Sequence, residues 1–298
     1  MKNPNAIKNY RKLPDRLLMC FVWLFVVLMT LVVAYPLYFI VVASISDPDA
    51  VAAGKVILWP VGFSLEGYQY IFEEGNLMQG LRNSIAYTLV GTVVCVSMTF
   101  LAGYPLSRKD LRIRGVVMFL FTVTMFFGGG MIPTYLVVSF LGLVDTFWAM
   151  IIPSAMGVWN VILVKTYIQS SIPIEIFESA SLDGCSDWTY FTQMVLPLSK
   201  PIIAVMVLLY AVGKWNDFST GLIYINTLEK QPFQYVLRQI LLLDISPTTN
   251  LAELKRLEEL KSLLQYCLIV VPSIPIICLY PFVQKHFVKG ILMGSIKG

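Results

Sequence analysis

Few residues in this chain belong to the types that do acid–base, nucleophilic or metal chemistry. His286 is the only histidine, which excludes histidine-cluster metal sites and argues against a Ser-His-Asp site. Glu178 and Asp183 lie five residues apart and could form a catalytic carboxylate pair, but no histidine accompanies them and we expect both to serve in docking. The five cysteines form no CxxC pair, so neither a metal site nor a disulfide framework is indicated. Since there is also no G-x-x-x-x-G-K-[ST] phosphate-binding loop, the sequence predicts a protein that is not an enzyme and has no cofactor of its own.

The two carboxylates lie in a polar segment, Ser171–Pro201, whose residue types predict a helix near its start. Pro173 suits the first turn of a helix, where its missing N–H is no loss. A short helix is predicted over Ile174–Leu182, and it carries Glu178. The small residues that follow Glu178 would let another surface approach this helix closely; they are Ser179, Ala180 and Ser181.

A second short helix is predicted after a sharp turn in the same segment. Gly184 provides the left-handed conformation that commonly ends helices. Ser186 can cap the next helix, and Asp187 is favourably placed near its positive end. Pro197 and Pro201 then end this helix and begin the next apolar stretch. Two short helices with a bend between them form a knob suited to docking, with no evident catalytic group.

The rest of the chain is dominated by apolar stretches that would hold this knob at a membrane surface. Hydrophobic residues make up 57% of the sequence and charged residues only 13%, far below the share of about a quarter in soluble domains. A membrane span needs about 20 mostly apolar residues. The segments that qualify are Leu17–Ala43, Ile85–Leu106, Val116–Phe140 (broken by Gly128–Gly130 and Pro133), Phe147–Ile168, Pro201–Ile225 and Leu263–Val283. The sequence therefore predicts an all-α integral membrane protein with six transmembrane helices, in one domain over residues 1–298.

The positions of lysine and arginine predict that both termini are cytoplasmic. Basic residues are concentrated in the N-terminal segment 1–16, in the loop after the second span and in the tail 284–298. The acidic stretch Ser44–Gly80 fits the outside, as does the loop with an amphipathic helix pattern at 251–262. The segment 170–200 is then cytoplasmic. The predicted location is the cell membrane, and no nucleic-acid partner is expected because the basic residues form no long stripe.

The segment 170–200 resembles the coupling motif of permease subunits of ABC importers. That motif reads Glu-Ala-Ala, three residues, Gly, nine residues, then Ile-x-Leu-Pro. The residues that match in type and spacing are Glu178, Ala180, Gly184, Leu196 and Pro197, while Ser179 replaces the first Ala and Met194 replaces the Ile. Both replacements conserve size, and a match over twenty positions is far more specific than a single short motif.

The resemblance extends along nearly the whole chain, to carbohydrate permeases of the maltose-permease type. It includes Asn83-Ser84, Tyr104-Pro-Leu-Ser-Arg108, Ile132-Pro-Thr-Tyr135, Trp215-Asn-Asp-Phe218, and the tail segments Gln284–Gly290 and Gly294–Gly298. The branch that handles complex oligosaccharides and polysaccharide fragments is resembled at Phe127–Pro133, Asp183-Gly-Cys185 and Pro197–Pro201. The resemblance implies the ABC type I importer permease fold and a sugar as substrate, an oligosaccharide or polysaccharide fragment.

The resemblance also implies the partners. A second permease subunit would form a heterodimer with this chain in the membrane lipid, and an extracytoplasmic binding protein would deliver the sugar. A cytoplasmic ATPase dimer would bind the ATP, and its closure would rock the permeases from inward-open to outward-open. The residues implied in docking to the ATPase are Glu178, Ser179, Ala180, Asp183, Gly184, Leu196 and Pro197.

Polar and aromatic residues inside the predicted spans are candidates for lining the sugar passage. The sequence Lys214-Trp-Asn-Asp217 interrupts the fifth span, and we expect the helix to break there with Trp215 and Asn216 facing the passage. The alternative is that Lys214 and Asp217 pair with each other or with neighbouring helices and serve packing alone. Further candidates, with packing as their alternative, are Trp159, Asn160 and Tyr135.

Other functions stay open from the sequence alone. The coupling motif is shared by importers of other solutes, such as peptides or polyamines, so it does not fix the substrate. An ion-coupled secondary carrier would show inverted repeats and intramembrane carboxylates, whereas Asp217 is the only acidic residue well inside a predicted span. A membrane enzyme would need an exposed acid–base or metal constellation, which the sequence does not offer.

Overall fold

The structure is a computed structural model that describes residues 13–73, 75–242 and 261–278. Several predictions therefore lie outside the described residues. These are most of the N-terminal segment 1–16, most of the helix predicted at 251–262, the end of the sixth span, and the tail 284–298 with His286.

The described residues are mainly helical, as predicted. The α-helices in chain order are α1 (Leu13–Ser44), α2 (Pro48–Ala52), α3 (Glu66–Glu73), α4 (Gly75–Ser107), α5 (Arg114–Phe126), α6 (Met131–Phe140), α7 (Val158–Ser171), α8 (Ile174–Leu182), α9 (Asp187–Tyr190), α10 (Leu196–Leu198), α11 (Lys200–Trp215), α12 (Phe218–Tyr224), α13 (Phe233–Leu242) and α14 (Lys261–Cys278). Tighter 3₁₀ turns cover Phe147–Met150, Ile152–Ser154 and Leu228–Lys230, and a π-helical turn covers Phe191–Val195.

Three helices are each long and apolar enough to cross a membrane: Leu18–Ser44 within α1, α4 and α14. Three further pairs of helical segments pass the same test only when joined, and each pair is bent. They are α5 with α6 (117°), Phe147–Ser154 with α7 (57°), and Asp187–Leu198 with α11 (80°). The chain is therefore an all-helical, multi-pass membrane protein, with three straight candidate spans in the described ranges and up to three bent ones.

The break predicted in the third span lies at its glycines. Helix α5 ends at Phe126 and α6 begins at Met131, with Gly130 in the left-handed region at φ 85°. Pro133 is tolerated inside the first turn of α6, where its missing N–H breaks no helical hydrogen bond. The glycines, which have no Cβ to oppose such a conformation, therefore make the bend.

The fifth span breaks where its polar cluster predicted. Helix α11 ends at Trp215, Asp217 caps the next helix, and α12 begins at Phe218. The predicted segment Pro201–Ile225 thus contains two helices, α11 and α12, separated at the predicted break. The joined pair that is long and apolar enough to cross a membrane is instead Asp187–Leu198 with α11, which ends at Trp215. Hydropathy could not locate this end, because the residues of α12 are apolar as well.

The chain divides into two compact units. The first contains the described residues up to Tyr70 and those of α14 up to Val271, and the second contains those from Ile71 to Leu242 and from Pro272. In the first unit, Val42, Ala50 and Val56 form a small buried core. Tyr35 and Tyr38 donate hydrogen bonds to the carbonyls of Ile57 and Leu58, which hold that loop against α1. The prediction of one domain stays a prediction.

Helix α4 is the centre of the second unit, where it packs against α7, α11 and α13. Two glycines make this packing close. A Cβ on Gly103 would lie 2.9 Å from a Val164 methyl group, and one on Gly91 would lie 3.3 Å from the Lys214 side chain. The largest buried cluster of this unit joins α4, α7 and α11 to the segment predicted to dock; it contains Cys95, Phe100, Val164, Ile168, Ala180, Tyr190, Phe191, Val195, Met206 and Tyr210.

Candidate functional site

We call residues 170–200 the docking segment, after its predicted role, and α8 and α9 its docking helices. The first of them, α8, has the predicted bounds, Ile174–Leu182, and only its inner face is anchored. Ala180 is buried in the core cluster, with Ile176 and Phe177 packed against it. The Phe177 ring meets the ring of Tyr190 edge-on at 5.1 Å between centroids. Because the cluster fixes this face, the opposite face of the helix is held out in a defined orientation.

The outer face of this helix is exposed and unusually apolar at its end. Glu178, Ser179 and Asp183 are exposed. Leu182 is 90% exposed and Trp188, just beyond the turn, is 64% exposed. An exposed tryptophan beside exposed apolar and carboxylate side chains forms a surface suited to a protein partner, because tryptophan is among the residues that carry most of the binding energy at interfaces.

The turn between the two docking helices has the predicted conformation. Gly184 has φ 76°, and its N–H donates to the Ser181 carbonyl at 3.1 Å. The N–H of Cys185 then donates to the Ala180 carbonyl at 3.0 Å, which completes the end of α8. The Ser186 hydroxyl accepts a hydrogen bond from the Thr189 N–H at 3.2 Å and so caps α9, as predicted. The segment's bend is therefore made by its own residues.

The second half of the docking segment continues from α9 through a π-helical turn to Leu198. Leu196 is half-buried against the core cluster, whereas Pro197 is exposed. Ser199 breaks the run, and α11 begins at Lys200 with Pro201 in its first turn. These two motif positions thus anchor and end the segment, and the exposed positions of α8 and its turn are the ones free to meet a partner.

Arg108 ties the docking segment to the end of α4. Its guanidinium carbon lies 3.3 Å from the centroid of the Phe177 ring. Its Nε and Nη2 donate to the carboxylate of Asp110 at 2.9 and 2.7 Å, and Nη1 lies 3.7 Å from Asp187 Oδ1. The bond to Asp110 raises the pKa of Arg108 and, reciprocally, lowers the pKa of Asp110. This contact of Arg108 was not predicted from the sequence, because its partner Phe177 lies far along the chain.

Lys214, which belongs to the predicted polar cluster, is buried and donates hydrogen bonds to the interrupted helical segment before α7. Its Nζ donates to the Met150 carbonyl at 2.6 Å and to the Ser154 hydroxyl at 2.7 Å. Both acceptors lie in the 3₁₀ turns before α7. One is a backbone carbonyl and the other is a side-chain hydroxyl. Asp217 instead accepts from the Thr220 N–H at 3.0 Å and caps α12. Of the alternatives for this pair, the structure has the contact of Lys214 with a neighbouring segment.

Trp215 and Asn216 lie on either side of the helix end in different environments. Trp215 is only 6% exposed, and its indole N–H donates to the Pro272 carbonyl at 2.9 Å. Asn216 is exposed, and its amide donates to the Val212 carbonyl of its own helix at 3.0 Å. In this conformation Asn216 is available to a solute and Trp215 is covered.

The other passage candidates also differ in exposure. Trp159 is 59% exposed near the start of α7, and Asn160 beside it is half-buried. Tyr135 on α6 is stacked on Tyr224 of α12, with ring centroids 6.0 Å apart and planes 4° from parallel. The structure thus brings Tyr135 to α12.

Asp145, in the loop after α6, is the centre of a polar network that was not predicted from the sequence. Its Oδ1 accepts from the N–H groups of Asn226 and Thr227 at 3.0 and 2.9 Å, and its Oδ2 accepts from the Thr227 hydroxyl at 2.6 Å. Lys230 Nζ donates to the Asp145 carbonyl at 2.7 Å and to Oδ2 at 3.1 Å. These bonds, the one from the Thr227 hydroxyl foremost, hold the pKa of Asp145 well below its ordinary value.

The segment that Asp145 caps is also bound along α4. The Asn83 amide donates to the carbonyls of Glu229 and Gln231 at 2.8 and 3.0 Å. The Ser84 hydroxyl accepts from the Phe233 N–H at 2.8 Å. Asn83 and Ser84, the two residues before the predicted start of the second span at Ile85, thus lie within α4, and their side chains bind residues 229–233. No group of three or more His, Cys, Asp or Glu that could hold a metal ion occurs in the described part of the chain.

Comparison with known proteins gives this geometry a context. The family described as "Binding-protein-dependent transport system inner membrane component" matches residues 96–293. Protein LplC of Bacillus subtilis (strain 168) is 41% identical over 263 residues, which cover 88% of this chain and 89% of the relative. The polygalacturonan/rhamnogalacturonan transport system permease protein YtcP of the same strain is 40% identical over 285 residues, covering 95% and 99%.

A solved structure agrees over almost the whole chain. A bacterial ABC transporter involved in the import of the acidic polysaccharide alginate contains a chain that is 30% identical, with a TM-score of 0.85. The match covers 93% of the present chain and 99% of that one.

Proposed function

This chain belongs to the family of binding-protein-dependent transport system inner membrane components, and from that premise we propose that it forms the translocation path of an ATP-driven importer for oligosaccharides or polysaccharide fragments. As a membrane subunit of such a system it is a transport protein and not an enzyme. The observation that carries the proposal is the docking segment, which is anchored on one face and exposed on the other. ATP would be bound by a separate ATPase, since the chain has no phosphate-binding loop.

The exposed face of α8 is proposed to bind the ATPase. Glu178 would make a polar contact with the ATPase, and Leu182 and Trp188 would supply the apolar area of the interface. Movement of the ATPase would reach the membrane because the inner face of α8 is packed into the same buried cluster as α4, α7 and α11. The coupling residues proposed are Glu178, Ser179, Ala180, Asp183, Gly184, Leu196 and Pro197.

A sugar substrate is supported by the relatives and by the types of residue at the broken span. The names of the similar proteins refer to polygalacturonan, rhamnogalacturonan and alginate, all carbohydrates. Exposed Trp159 offers a flat apolar face to a sugar ring, and exposed Asn216 can pair with hydroxyl groups. The proposed path also includes Asn160, Tyr135 and Trp215, of which Trp215 would have to be uncovered as the transporter changes conformation.

The complete transporter would contain further subunits. We propose six spans, three from the unbroken helices and one from each bent pair, with both termini and the docking segment in the cytoplasm. In the pair formed by Asp187–Leu198 and α11, only α11 would enter the membrane, because Asp187–Leu198 belongs to the docking segment. A second permease would complete the path as a heterodimer within the lipid, an ATPase dimer would bind below, and an extracytoplasmic binding protein would deliver the sugar. The Asp145 network would then lie on the outer side.

The docking role is tested by the Glu178→Lys variant of the full-length chain. Reversing this exposed charge is expected to lower recovery of the ATPase with the tagged protein by about tenfold or more. The reason is that a basic ATPase group paired with Glu178 would then face a like charge, which is strongly unfavourable at an interface. The measurement is co-purification of ATPase from membranes of the native host. Glu229→Lys makes the same charge change on a side chain that is exposed in the other loop, and it should recover the ATPase normally. Equal recovery with Glu178→Lys and wild type would reject the docking role.

The sugar path is tested by uptake kinetics of the complete importer. Asn216→Ala and Trp159→Ala are expected to lower uptake of labelled galacturonate oligosaccharides by about fivefold, since each removes one contact of roughly 1 kcal/mol. Phe140→Ala, which truncates an exposed aromatic side chain outside the proposed path, serves as the control. If uptake kinetics were unchanged in both path variants while ATPase recruitment stayed intact, the importer function would still stand, but these residues would not line the sugar path.

A further inference from the structure

A cavity of about 660 Å³ lies beside α8, at the point where three candidate spans have one of their ends. Helix α4 ends there at Ser107, α5 begins at Arg114, and α7 ends at Ser171. Residues of α8 form part of the wall. The lining residues are Tyr104, Ser107, Arg108, Lys109, Arg114, Ile168, Gln169, Ser170, Ile172, Pro173, Ile174, Glu175, Phe177 and Tyr190.

The charged part of this wall is mainly basic. Arg108, Lys109 and Arg114 face one acidic side chain, Glu175. Arg108 is paired with Asp110 through Nε and Nη2, and its buried Nη1 has no hydrogen-bond partner among the described residues. Arg114 is half-buried, and the one hydrogen bond of its side chain to a described residue is long, 3.4 Å, to the Arg108 carbonyl. Lys109 is exposed and forms no ion pair with any described residue.

The rest of the wall combines hydroxyl and amide groups with apolar surface. The Ser170 hydroxyl makes hydrogen bonds only to its helix and to Ser171 in the described structure. Ile172, Ile174 and Phe177 cover the side formed by the docking segment. A basic wall opposite an apolar wall, at the ends of membrane spans, is chemically matched to an anionic head group that carries apolar chains.

We propose that this cavity is a binding site for a phosphate-bearing anion, held chiefly by Arg114 and Lys109. A phosphate group accepts several hydrogen bonds, and the fork of Arg114 and the ammonium group of Lys109 are the donors best suited to it. The source is either the head group of an anionic phospholipid or free inorganic phosphate. Because α8 lines the cavity, occupancy steadies the docking helix, and this consequence alone rests on the proposed function.

The test measures binding to the full-length chain purified alone, so it requires neither ATPase nor sugar. Native mass spectrometry counts phosphatidylglycerol retained by the protein against phosphatidylcholine, which carries no net charge. Equilibrium dialysis with labelled inorganic phosphate tests the second source. The variants are Arg114→Gln and, since Lys109 is exposed and its loss spares the fold, Lys109→Gln. Arg112→Gln is the matched control, because Arg112 is exposed on the same loop but does not line the cavity.

The expected result is saturable binding of one of the two ligands by the wild type, weakened about tenfold in Arg114→Gln and to a lesser extent in Lys109→Gln. Arg112→Gln should bind like the wild type. Preferential retention of phosphatidylglycerol identifies the lipid as the source, and binding of phosphate alone identifies the free anion. Binding of neither, or an equal loss in Arg112→Gln and Arg114→Gln, overturns the proposal. Because the ATPase is absent from the assay, either outcome leaves the docking role to its own experiment.

Discussion

Of the turns in the second unit that contain a residue at positive φ, those at Gly184 and Asp145 are stabilised in opposite ways. At the docking segment the residue is Gly184, with φ 76° and open space around the position of its missing Cβ. At the loop before α7 it is Asp145, with φ 59°, the one described non-glycine residue with positive φ. Gly184 makes its turn by backbone bonds alone, whereas the carboxylate of Asp145 binds residues 226, 227 and 230.

The difference shows that a turn held by backbone bonds alone leaves its surface open to a partner, whereas a turn held by side-chain bonds to another loop is rigid. A glycine turn needs no side-chain partners, so the surface around Gly184 stays open for another protein. An aspartate in the left-handed region carries a strain of about 1 kcal/mol, which the hydrogen bonds at Asp145 offset. Those bonds link two loops that are more than 80 residues apart in sequence. The docking turn is therefore locally encoded, and the Asp145 turn depends on the tertiary fold.

The largest effect is expected from Asp145→Ala. The variant loses the acceptors of its side-chain hydrogen bonds but keeps the unfavourable φ, so the free energy of unfolding should fall by about 3 kcal/mol. Asp145→Gly loses the same acceptors without the strain and should be less destabilised by about 1 kcal/mol. Denaturation of the purified protein in detergent micelles measures both. If the two variants were as stable as the wild type, the network would not stabilise the unit as described.

An intermediate effect is expected from acid. The folded-state pKa of Asp145 lies below its unfolded value near 3.9, so its contribution to stability is complete above that pH and is lost as the pH falls through the folded pKa. The stability difference between wild type and Asp145→Ala should therefore be constant from pH 7 to about 5 and should narrow below about 4. Thermal unfolding at a series of pH values checks this. A difference that widened on acidification would contradict the lowered pKa.

The smallest effect on stability, with a selective effect on docking, is expected from Gly184→Ala. The Cβ meets no atom, so the cost is the left-handed strain of about 1 kcal/mol. Gly142→Ala is the matched control, because Gly142 has φ 66° and is equally open but lies in the loop next to Asp145. Both variants should unfold at similar denaturant concentrations, and only Gly184→Ala should recover less ATPase. Equal recovery in the two variants would mean that the docking turn tolerates a shifted geometry.

Much of the docking segment could be predicted from sequence because its interactions are between near neighbours. The helix over Ile174–Leu182, the left-handed Gly184 and the cap at Ser186 all depend on residues within five positions of each other. The breaks at Gly128–Gly130 and after Trp215 were predicted for the same reason, since glycine runs and polar clusters interrupt helices locally. The roles of the predicted coupling and passage residues stay predictions.

Residues whose partners are distant in sequence could not be predicted in the same way. Lys214 was correctly identified as unusual, but its acceptors at Met150 and Ser154 lie 64 and 60 residues away. Trp215 was expected to face a passage, and in this conformation it is buried against Pro272. Composition and hydropathy give no information on which buried polar group meets which.

The sequence by itself determined the membrane character, the family and the local form of the docking knob, because apolar length, motif spacing and capping depend on the order of residues along the chain. Only the tertiary structure decided that Arg108 stacks on Phe177, that Asp145 binds the loop at 226–230, and that the basic cavity lies beside α8. These arrangements depend on the angles of the bent helices and on how closely α4 approaches its neighbours at Gly91 and Gly103. Such geometry arises from the packing of the whole unit, in which each polar group pairs with whatever partner the fold brings within reach.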